Sequence, residues 1–191
     1  MILTRERFWF LRHGETDWNA QGLSQGNVDI PLNANGIAQA HAAAPLLVGR
    51  GIASIIASPL SRAHDTAKVA AGLLGLPVHL DEGLRETSFG AQEGQPMVEW
   101  FNNWVAGTYT PPDAEPFGAL RLRAVAAVNR ALEQPGLVLI VAHGALFRAL
   151  RAAMGLEPNV RTRNAWPMLC EPGAPGERGA MAHPWTLTDA A

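Results

Sequence analysis

Residues 8–16 read FWFLRHGET, so that the apolar run from Phe8 to Leu11 passes directly into Arg12, His13 and Gly14. The run is typical of a buried strand, and a glycine in this place is typical of the turn that ends one. Open α/β sheets carry their chemistry at the carboxyl ends of their strands. An imidazole is a nucleophile near neutral pH, and an adjacent guanidinium can hold a phosphate in front of it. The pattern favours a reactive histidine at His13; a histidine that only packs in a loop is the alternative.

Length and composition favour one globular domain, residues 1–191, with a sizeable core. The chain has 191 residues, of which 48% are hydrophobic, and its net charge is −2. This balance lacks the basic surplus that nucleic-acid binding requires, so we expect no nucleic-acid partner. A phosphate ligand needs only a few local cations. All basic residues except Lys68 are arginines, which pair well with oxyanions.

The expected environment is the cytoplasm. Cys170 is the only cysteine, so no internal disulfide can form, and a structural thiol is its expected role. No stretch approaches the ~20 apolar residues of a membrane span, and the N-terminus lacks the apolar region of a signal peptide. We expect a small-molecule substrate, no membrane partner, and a monomer or homodimer.

Apolar runs alternate with helical patterns along the chain. The predicted strands are Phe8–Leu11, Ile52–Ala57, Val78–Leu80, Leu137–Ala142, Trp166–Cys170 and Gly179–Leu187. The predicted helices are Asn35–Leu47, Ser61–Leu74, Leu120–Leu132 and Ala145–Met154, each followed within a few residues by glycine or proline. This order predicts an α/β fold, a three-layer sandwich whose mostly parallel central sheet has helices on both faces. The segment 171–176 is predicted to be an exposed turn.

Three further segments carry polar residues in a recognisable order. They read SPLSRAHDTA at 58–67, LRETSFGAQEG at 84–94 and VAHG at 141–144, the last being a second strand that ends in His-Gly. Together with RHGETDWN at 12–19, these segments resemble the histidine phosphatase superfamily, the phosphoglycerate mutase-like proteins. The resemblance extends from about Phe8 to His143, most of the chain.

The resemblance implies the roles of the site residues. His13 would be the nucleophile that forms a phosphohistidine, and the substrate would be bound by Arg12, Asn19, Arg62, His143 and Gly144. Asn19 fits a turn or capping role equally well. The alternative for Arg62 is a surface residue on a first helical turn, and for His143 a satisfied core histidine.

The resemblance also implies a general acid, Glu86, for the leaving alkoxide. Such an acid must hold a proton near neutral pH, which requires partial burial or a nearby negative charge such as the substrate phosphate. Glu93 is the competing carboxylate, but the family pattern places the acid at the first of the two positions. Glu15 is expected to be structural. No zinc spacing, Walker loop or GxGxxG is present, so no metal or cofactor is expected.

Residues 95–119 are expected to form a short lid over the carboxyl edge of the sheet, because in the family the equivalent segment covers the active site. Of its aromatic residues Trp100, Phe101, Trp104 and Tyr109, at least two are expected to pack the lid onto the body, while one or two could line the pocket. One departure from the family concerns the Gly-Glu-Ser that many members carry here. This chain has Glu115-Pro116, which removes a helix-start hydroxyl.

The reaction favoured by this sequence is hydrolysis of a small phosphomonoester. Mutases of the family have a larger insert over the site, whereas only about forty residues separate Gly94 from Val138 here. A short cover leaves the phosphohistidine open to water. The alternatives are a mutase-type phosphoryl transfer, a protein phosphohistidine phosphatase, and a non-catalytic domain that binds a phosphorylated ligand.

Overall fold

The computed structural model of the chain describes residues 1–174 and 184–190. The strands are β1 (Phe8–Arg12), β2 (Ile52–Ala57), β3 (Val78–Leu80), β4 (Leu137–Ala142), β5 (Pro167–Glu171) and β6 (Thr186–Asp189). The helices are α1 (Asp17–Ala20), α2 (Ala34–Ala43), α3 (Ser61–Leu74), α4 (Glu99–Val105), α5 (Phe117–Leu132) and α6 (Gly144–Ala153). Short 3₁₀ turns cover Ala44–Leu47, Glu82–Leu84 and Gly90–Gln92.

The six strands form one sheet in the order β3-β2-β4-β1-β5-β6. The first four in this order are parallel to their neighbours, and β5 and β6 are antiparallel. Parallel strands that are buried on both faces read as continuous apolar runs, and β1 and β4 have this sequence. The predicted α/β fold with a mostly parallel sheet is confirmed.

Helices cover both faces of the sheet because successive side chains of a strand point in opposite directions. On one face, Phe8 and Phe10 pack with Ile140 against buried residues of α5 and α6. On the other face, Trp9 and Leu11 pack with apolar residues of α2 and α3. The two layers hold the strands so that four parallel carboxyl ends meet at one edge.

Several predicted boundaries were wrong. Helix α5 begins at Phe117 rather than at Leu120, after Pro116 as its N-cap, because proline is pre-organised for a helix start. Helix α2 ends at Ala43, and a 3₁₀ turn that contains Pro45 takes up the rest of the predicted helix. The lid segment contains a helix, α4, that the sequence reasoning did not assign.

The C-terminal predictions are correct only in part. Strand β5 begins at Pro167, a position compatible with proline because it is the first residue of the strand, and it extends into the predicted turn as far as Glu171. Of the predicted strand Gly179–Leu187, residues 179–183 lie outside the described residues, as do positions 175–176 of the predicted turn. The observed strand is Thr186–Asp189. In the described parts of the chain, no helix has the length and apolar character that crossing a membrane requires.

Candidate active site

The four parallel strands each deliver a functional side chain to the same edge of the sheet. His13 follows β1, Arg62 lies in the first turn of the helix after β2, Glu86 follows β3, and His143 follows β4. Except for His143, these residues line one small cleft of about 40 Å³ together with Arg12, Asn19, Leu23, Gln25, Gly26, Phe89, Met97, Phe101, Gly144, Ala145 and Arg148. The predicted site residues thus share this cleft, apart from His143, whose ring lies beside that of His13.

His13 is buried and held in one orientation. Its Nδ1 lies 2.7 Å from the carbonyl oxygen of Gly14, and because a carbonyl only accepts, Nδ1 carries the proton and Nε2 keeps its lone pair. Burial, followed by the positive charges of Arg62 and Arg12, holds the pKa of His13 well below its usual range. The imidazole is therefore neutral at physiological pH, with Nε2 available as a nucleophile.

The nucleophile loop is fixed by its backbone. The N–H of Gly14 donates to the hydroxyl of Thr66, 3.0 Å away, and the side-chain amide of Asn164 donates to the carbonyl of His13 over 2.9 Å. Gly14 also packs against the first turn of α2: a Cβ on Gly14 would collide with the carbonyl oxygen of Gly36. Glycine is needed here because two backbone segments approach each other closely.

Arg12 and Arg62 are buried cations whose partners are carbonyls, not carboxylates. Arg12 donates from Nη1 to the carbonyl of Thr162 at 2.7 Å, and Arg62 donates to Val28 and Gly26 at 2.9 and 2.8 Å. Burial lowers the pKa of each guanidinium to about 10, with Glu86 opposing the shift. Both remain protonated at neutral pH, so their positive charge is available to an anion.

His143 lies beside the nucleophile, with 5.2 Å between the two ring centroids. Its Nε2 contacts the hydroxyl of Ser58 at 2.7 Å. Its Nδ1 is buried and has no hydrogen-bond partner in the described part of the chain. Burial, then the charge of Arg62, holds the pKa of His143 well below its usual range.

Four buried nitrogens without a partner among the described residues belong to this site: Arg12 Nε, Arg62 Nε, Arg148 Nε and His143 Nδ1. Buried polar groups are normally paired, and each exception needs an explanation. An anion bound in the cleft would supply acceptors for the three guanidinium N–H groups, and for His143 Nδ1 in the tautomer that carries its proton there. No group of acidic, histidine and cysteine side chains that could hold a metal ion occurs among the described residues.

Glu86 is anchored at the N-terminus of α6. Its Oε1 accepts the N–H groups of Thr87 and Leu146 at 3.0 and 2.9 Å, and its Oε2 accepts the N–H of Ala145 at 2.9 Å. The residue is 7% exposed and lines the cleft. Oε2 accepts a single hydrogen bond, so one of its lone pairs remains for a proton.

The two competing carboxylates have other partners. Glu93 Oε1 accepts the N–H groups of Asn27 and Phe89, so it joins two loops beside the cleft. Glu15 accepts the side-chain amides of Asn33 and Asn35, and these hydrogen bonds lower its pKa. Both arrangements support the choice of Glu86 over these residues.

Asn19 has the capping geometry that the sequence left open. It forms a capping box with Thr16 at the start of α1, and its Oδ1 lies 3.3 Å from the side-chain amide of Asn164. It also lines the cleft. One residue can thus order the loop and face a ligand.

The lid segment packs mainly through its aromatic residues. Phe101 and Trp104 are buried, form edge contacts with Phe89 and lie tilted against each other. Trp104 also donates to the carbonyl of Glu115. Phe101 also lines the cleft, whereas Tyr109 is 41% exposed.

Pro116 supplies no side-chain cap to α5. Glu115 instead pairs with Arg123 at 2.9 and 2.6 Å, and Arg123 donates to the carbonyls of Gly83 and Arg85, beside Glu86.

Sequence reasoning missed several residues that support the site. Ser58 contacts His143, and Thr66 accepts a hydrogen bond from Gly14. Asn164 and Thr162 hold the backbone of His13 and the side chain of Arg12, and Arg148 lines the cleft. A signal existed for Ser58 and Thr66, since both lie inside the SPLSRAHDTA segment. Asn164 and Thr162 contact His13 and Arg12, which lie about 150 positions away in the sequence, and no local sequence pattern predicts such contacts.

Comparison with known proteins agrees with this geometry. The family model for the histidine phosphatase superfamily (branch 1) matches residues 8–170. The chain belongs to the histidine phosphatase superfamily.

Relatives within the superfamily carry two kinds of name. A probable phosphoglycerate mutase GpmB of Yersinia enterocolitica is 38% identical over 167 residues, which cover 81% of this chain and 78% of that protein. The mycobacterial glucosyl-3-phosphoglycerate phosphatase has a TM-score of 0.80 and 29% identity, covering 97% of this chain and 99% of that one. A phosphoserine phosphatase of Entamoeba histolytica, in complex with 3-phosphoglyceric acid, has a TM-score of 0.77 and 25% identity, covering 95% and 96%.

Proposed function

We propose that this protein is a metal-independent phosphatase that hydrolyses a small phosphomonoester through a phosphohistidine on His13. The observation that carries the proposal is a neutral, buried imidazole whose Nδ1 is engaged by Gly14 and which shares its cleft with Arg12 and Arg62. The phosphatases among its structural neighbours support the same reaction class.

In the first step, Nε2 of His13 attacks phosphorus, the N–P bond forms and the ester P–O bond breaks. Glu86 gives its proton to the leaving alkoxide from Oε2. In the second step, water loses a proton to Glu86 and its oxygen bonds to phosphorus, the N–P bond to His13 breaks, and inorganic phosphate leaves. His13 and Glu86 are returned to their starting states.

Arg12, Arg62 and His143 stabilise the transferring group. A phosphoryl group spreads its negative charge over several oxygens, so catalysis depends on positioned donors and cations more than on covalent chemistry. The unpartnered nitrogens described above would supply these donors. We assign Asn19 and the N–H of Gly144, the first residue of α6, to the same set. The dipole of α6 favours an anion at its N-terminus.

A second candidate function is mutase-type phosphoryl transfer, which the GpmB-named relatives favour. The short lid favours hydrolysis, because Met97 and Phe101 cover the cleft with only one short helix between Gly94 and α5. We further propose that the protein acts in the cytoplasm as a single domain.

The test is a phosphate-release screen over a panel of phosphomonoesters with EDTA present, including 2- and 3-phosphoglycerate and the bisphosphate. We expect metal-independent release from one or a few compounds. Interconversion of the phosphoglycerates without release would instead make the protein a mutase. No reaction with any compound would favour a protein phosphohistidine substrate or a binding role.

A further inference from the structure

The cleft opens into a second, larger cavity of about 380 Å³, the outer cavity. The two share Arg12, Asn19, Met97 and Arg148 in their walls, and Arg161 and Gln21 line the outer cavity but not the cleft. A phosphate held at His13 therefore leaves the rest of its substrate in the outer cavity. What lines this cavity decides which substrates fit.

The outer cavity has cations and lacks carboxylates among its described lining residues. Arg148 is half-buried, and its Cζ lies over the ring of Phe101, 5.0 Å from the ring centroid. Its shortest described hydrogen bond is long, at 3.4 Å from Nη1 to the carbonyl oxygen of Gly144. Its Nε is buried without a described partner. Burial lowers the pKa of Arg148, opposed by Glu86 and reinforced by Arg161. Two arginines are thus held near each other at some electrostatic cost.

The charges around the two cavities show what would relieve this cost. At the inner end, Asp29 and Glu93 partly oppose the lowering of the pKa of Arg62, whereas the described lining of the outer cavity contains arginines and no carboxylate. Arg161 is exposed to water, so the cost falls mainly on Arg148, whose buried Nε has no described partner. Charged groups removed from water are stable only when they are paired, and an anion in the outer cavity would pair Arg148.

We propose that Arg148 and Arg161 bind a second anionic group on the alcohol part of the substrate, a carboxylate or a second phosphate. The guanidinium of Arg148 lies over the ring of Phe101, and a guanidinium is planar and can donate two parallel hydrogen bonds to an oxyanion. This proposal rests on the proposed phosphatase function, because the ligand is taken to be its substrate. Binding of the second anion can nevertheless be measured without hydrolysis.

The experiment compares substrates that differ only in the second anion. The carboxylate pair is O-phosphoserine with O-phosphoethanolamine, and the phosphate pair is fructose 1,6-bisphosphate with fructose 6-phosphate. An arginine–oxyanion contact changes affinity by about tenfold or more. In one of the two pairs, we therefore expect kcat/KM to be higher by at least this factor for the compound that carries the second anionic group. The pair that shows the preference identifies the second anion.

Variants assign the preference to its residues. Arg148→Gln and, separately, Arg161→Gln should bring the ratio within that pair to about threefold or less, while Arg121→Gln, an exposed arginine outside both cavities, should keep the full ratio. Arg161 is exposed, so its replacement does not threaten the fold. A wild-type ratio near one for both pairs, or a ratio that survives in both variants, would overturn the proposal.

Binding by the His13→Ala protein separates this proposal from the phosphatase assignment. Calorimetry with the same four compounds reports the preference without turnover. If the wild-type protein releases phosphate from none of the compounds while the His13→Ala protein still binds them with the preference, the phosphatase assignment fails and the second-anion site stands. Hydrolysis without any preference would do the reverse.

Discussion

Arg62, at the inner end of the cleft, is fully buried and donates from both terminal nitrogens to backbone carbonyls, whereas Arg161, at the outer end, is exposed. His13 is likewise fixed by Gly14, while Met97 on the lid side is 45% exposed. The inner end is built on strand ends and backbone contacts, which suit one invariant group, the phosphoryl. The outer end is built from long side chains and a lid, which suit the part of a substrate that differs between enzymes.

The largest effect is expected from removing the inner nucleophile. His13→Ala should lower kcat for a generic aryl phosphate by at least about a thousandfold, because no other group can form the covalent intermediate. The control is His79→Ala, an exposed histidine on β3, which should leave kcat unchanged. Retained turnover in a folded His13→Ala protein would contradict the nucleophile assignment.

The second prediction concerns the leaving group. Glu86→Gln should lower kcat for alkyl phosphates by about a hundredfold, since an alkoxide needs a proton, and should affect aryl phosphates far less. Glu133→Gln, on an exposed residue after α5, is the matched control. Equal losses on both substrate classes would mean that Glu86 positions α6 and does not act as an acid.

The third prediction tests whether backbone packing supports the inner end. A Cβ at position 36 would collide with the carbonyl oxygen of Glu15, so Gly36→Ala should displace the nucleophile loop and lower kcat about tenfold or more. Gly72→Ala adds the same methyl on α3 where nothing lies within 4 Å. That control should keep activity and gain about 0.5–1 kcal/mol in the free energy of unfolding. Equal activity of the two variants would show that the close approach is unimportant.

A smaller effect is expected at the outer end. Met97→Ala should raise KM about threefold for a substrate that reaches the outer cavity, because one exposed apolar contact is lost, and should leave kcat nearly unchanged. Leu122→Ala, exposed on α5, is the control. A loss in kcat comparable to that of Gly36→Ala would remove the distinction between the two ends.

The smallest effect is expected from mild acid. The pKa of both His13 and His143 lies well below the usual range, so both stay neutral as pH falls from 8 to 6.5, and protonation removes activity only at lower pH. The substrate is an aryl phosphate, whose leaving group needs little protonation, so that ionisation of the proposed acid Glu86 has little effect on the profile. Corrected for ionisation of this substrate, kcat/KM should change by less than about twofold over this interval. An inflection near 6.5 would mean that the nucleophile titrates like an exposed imidazole.

Much of the inner end could be predicted from the sequence because His13 and His143 come directly after apolar strand runs, and Arg62 and Glu86 lie in short motif segments that follow the other two runs. Helix Ser61–Leu74 and strand Val78–Leu80 were predicted with the observed bounds. The helix in the lid was not, since Pro96 and the polar pair Asn102-Asn103 obscure its short apolar face. The contacts of Asn164 with His13, and of Arg148 with Phe101, depend on tertiary packing between distant segments and leave no periodic signal.

The central claim is the covalent intermediate on His13, and its most direct test is to trap it. The protein is mixed with a good substrate, quenched in base within a few milliseconds, and digested for mass spectrometry, since phosphohistidine survives in base. We predict phosphorylation on the peptide that contains His13, formed and lost at rates no slower than turnover. Turnover with that peptide unmodified, or with the phosphoryl group on another residue, would contradict the account.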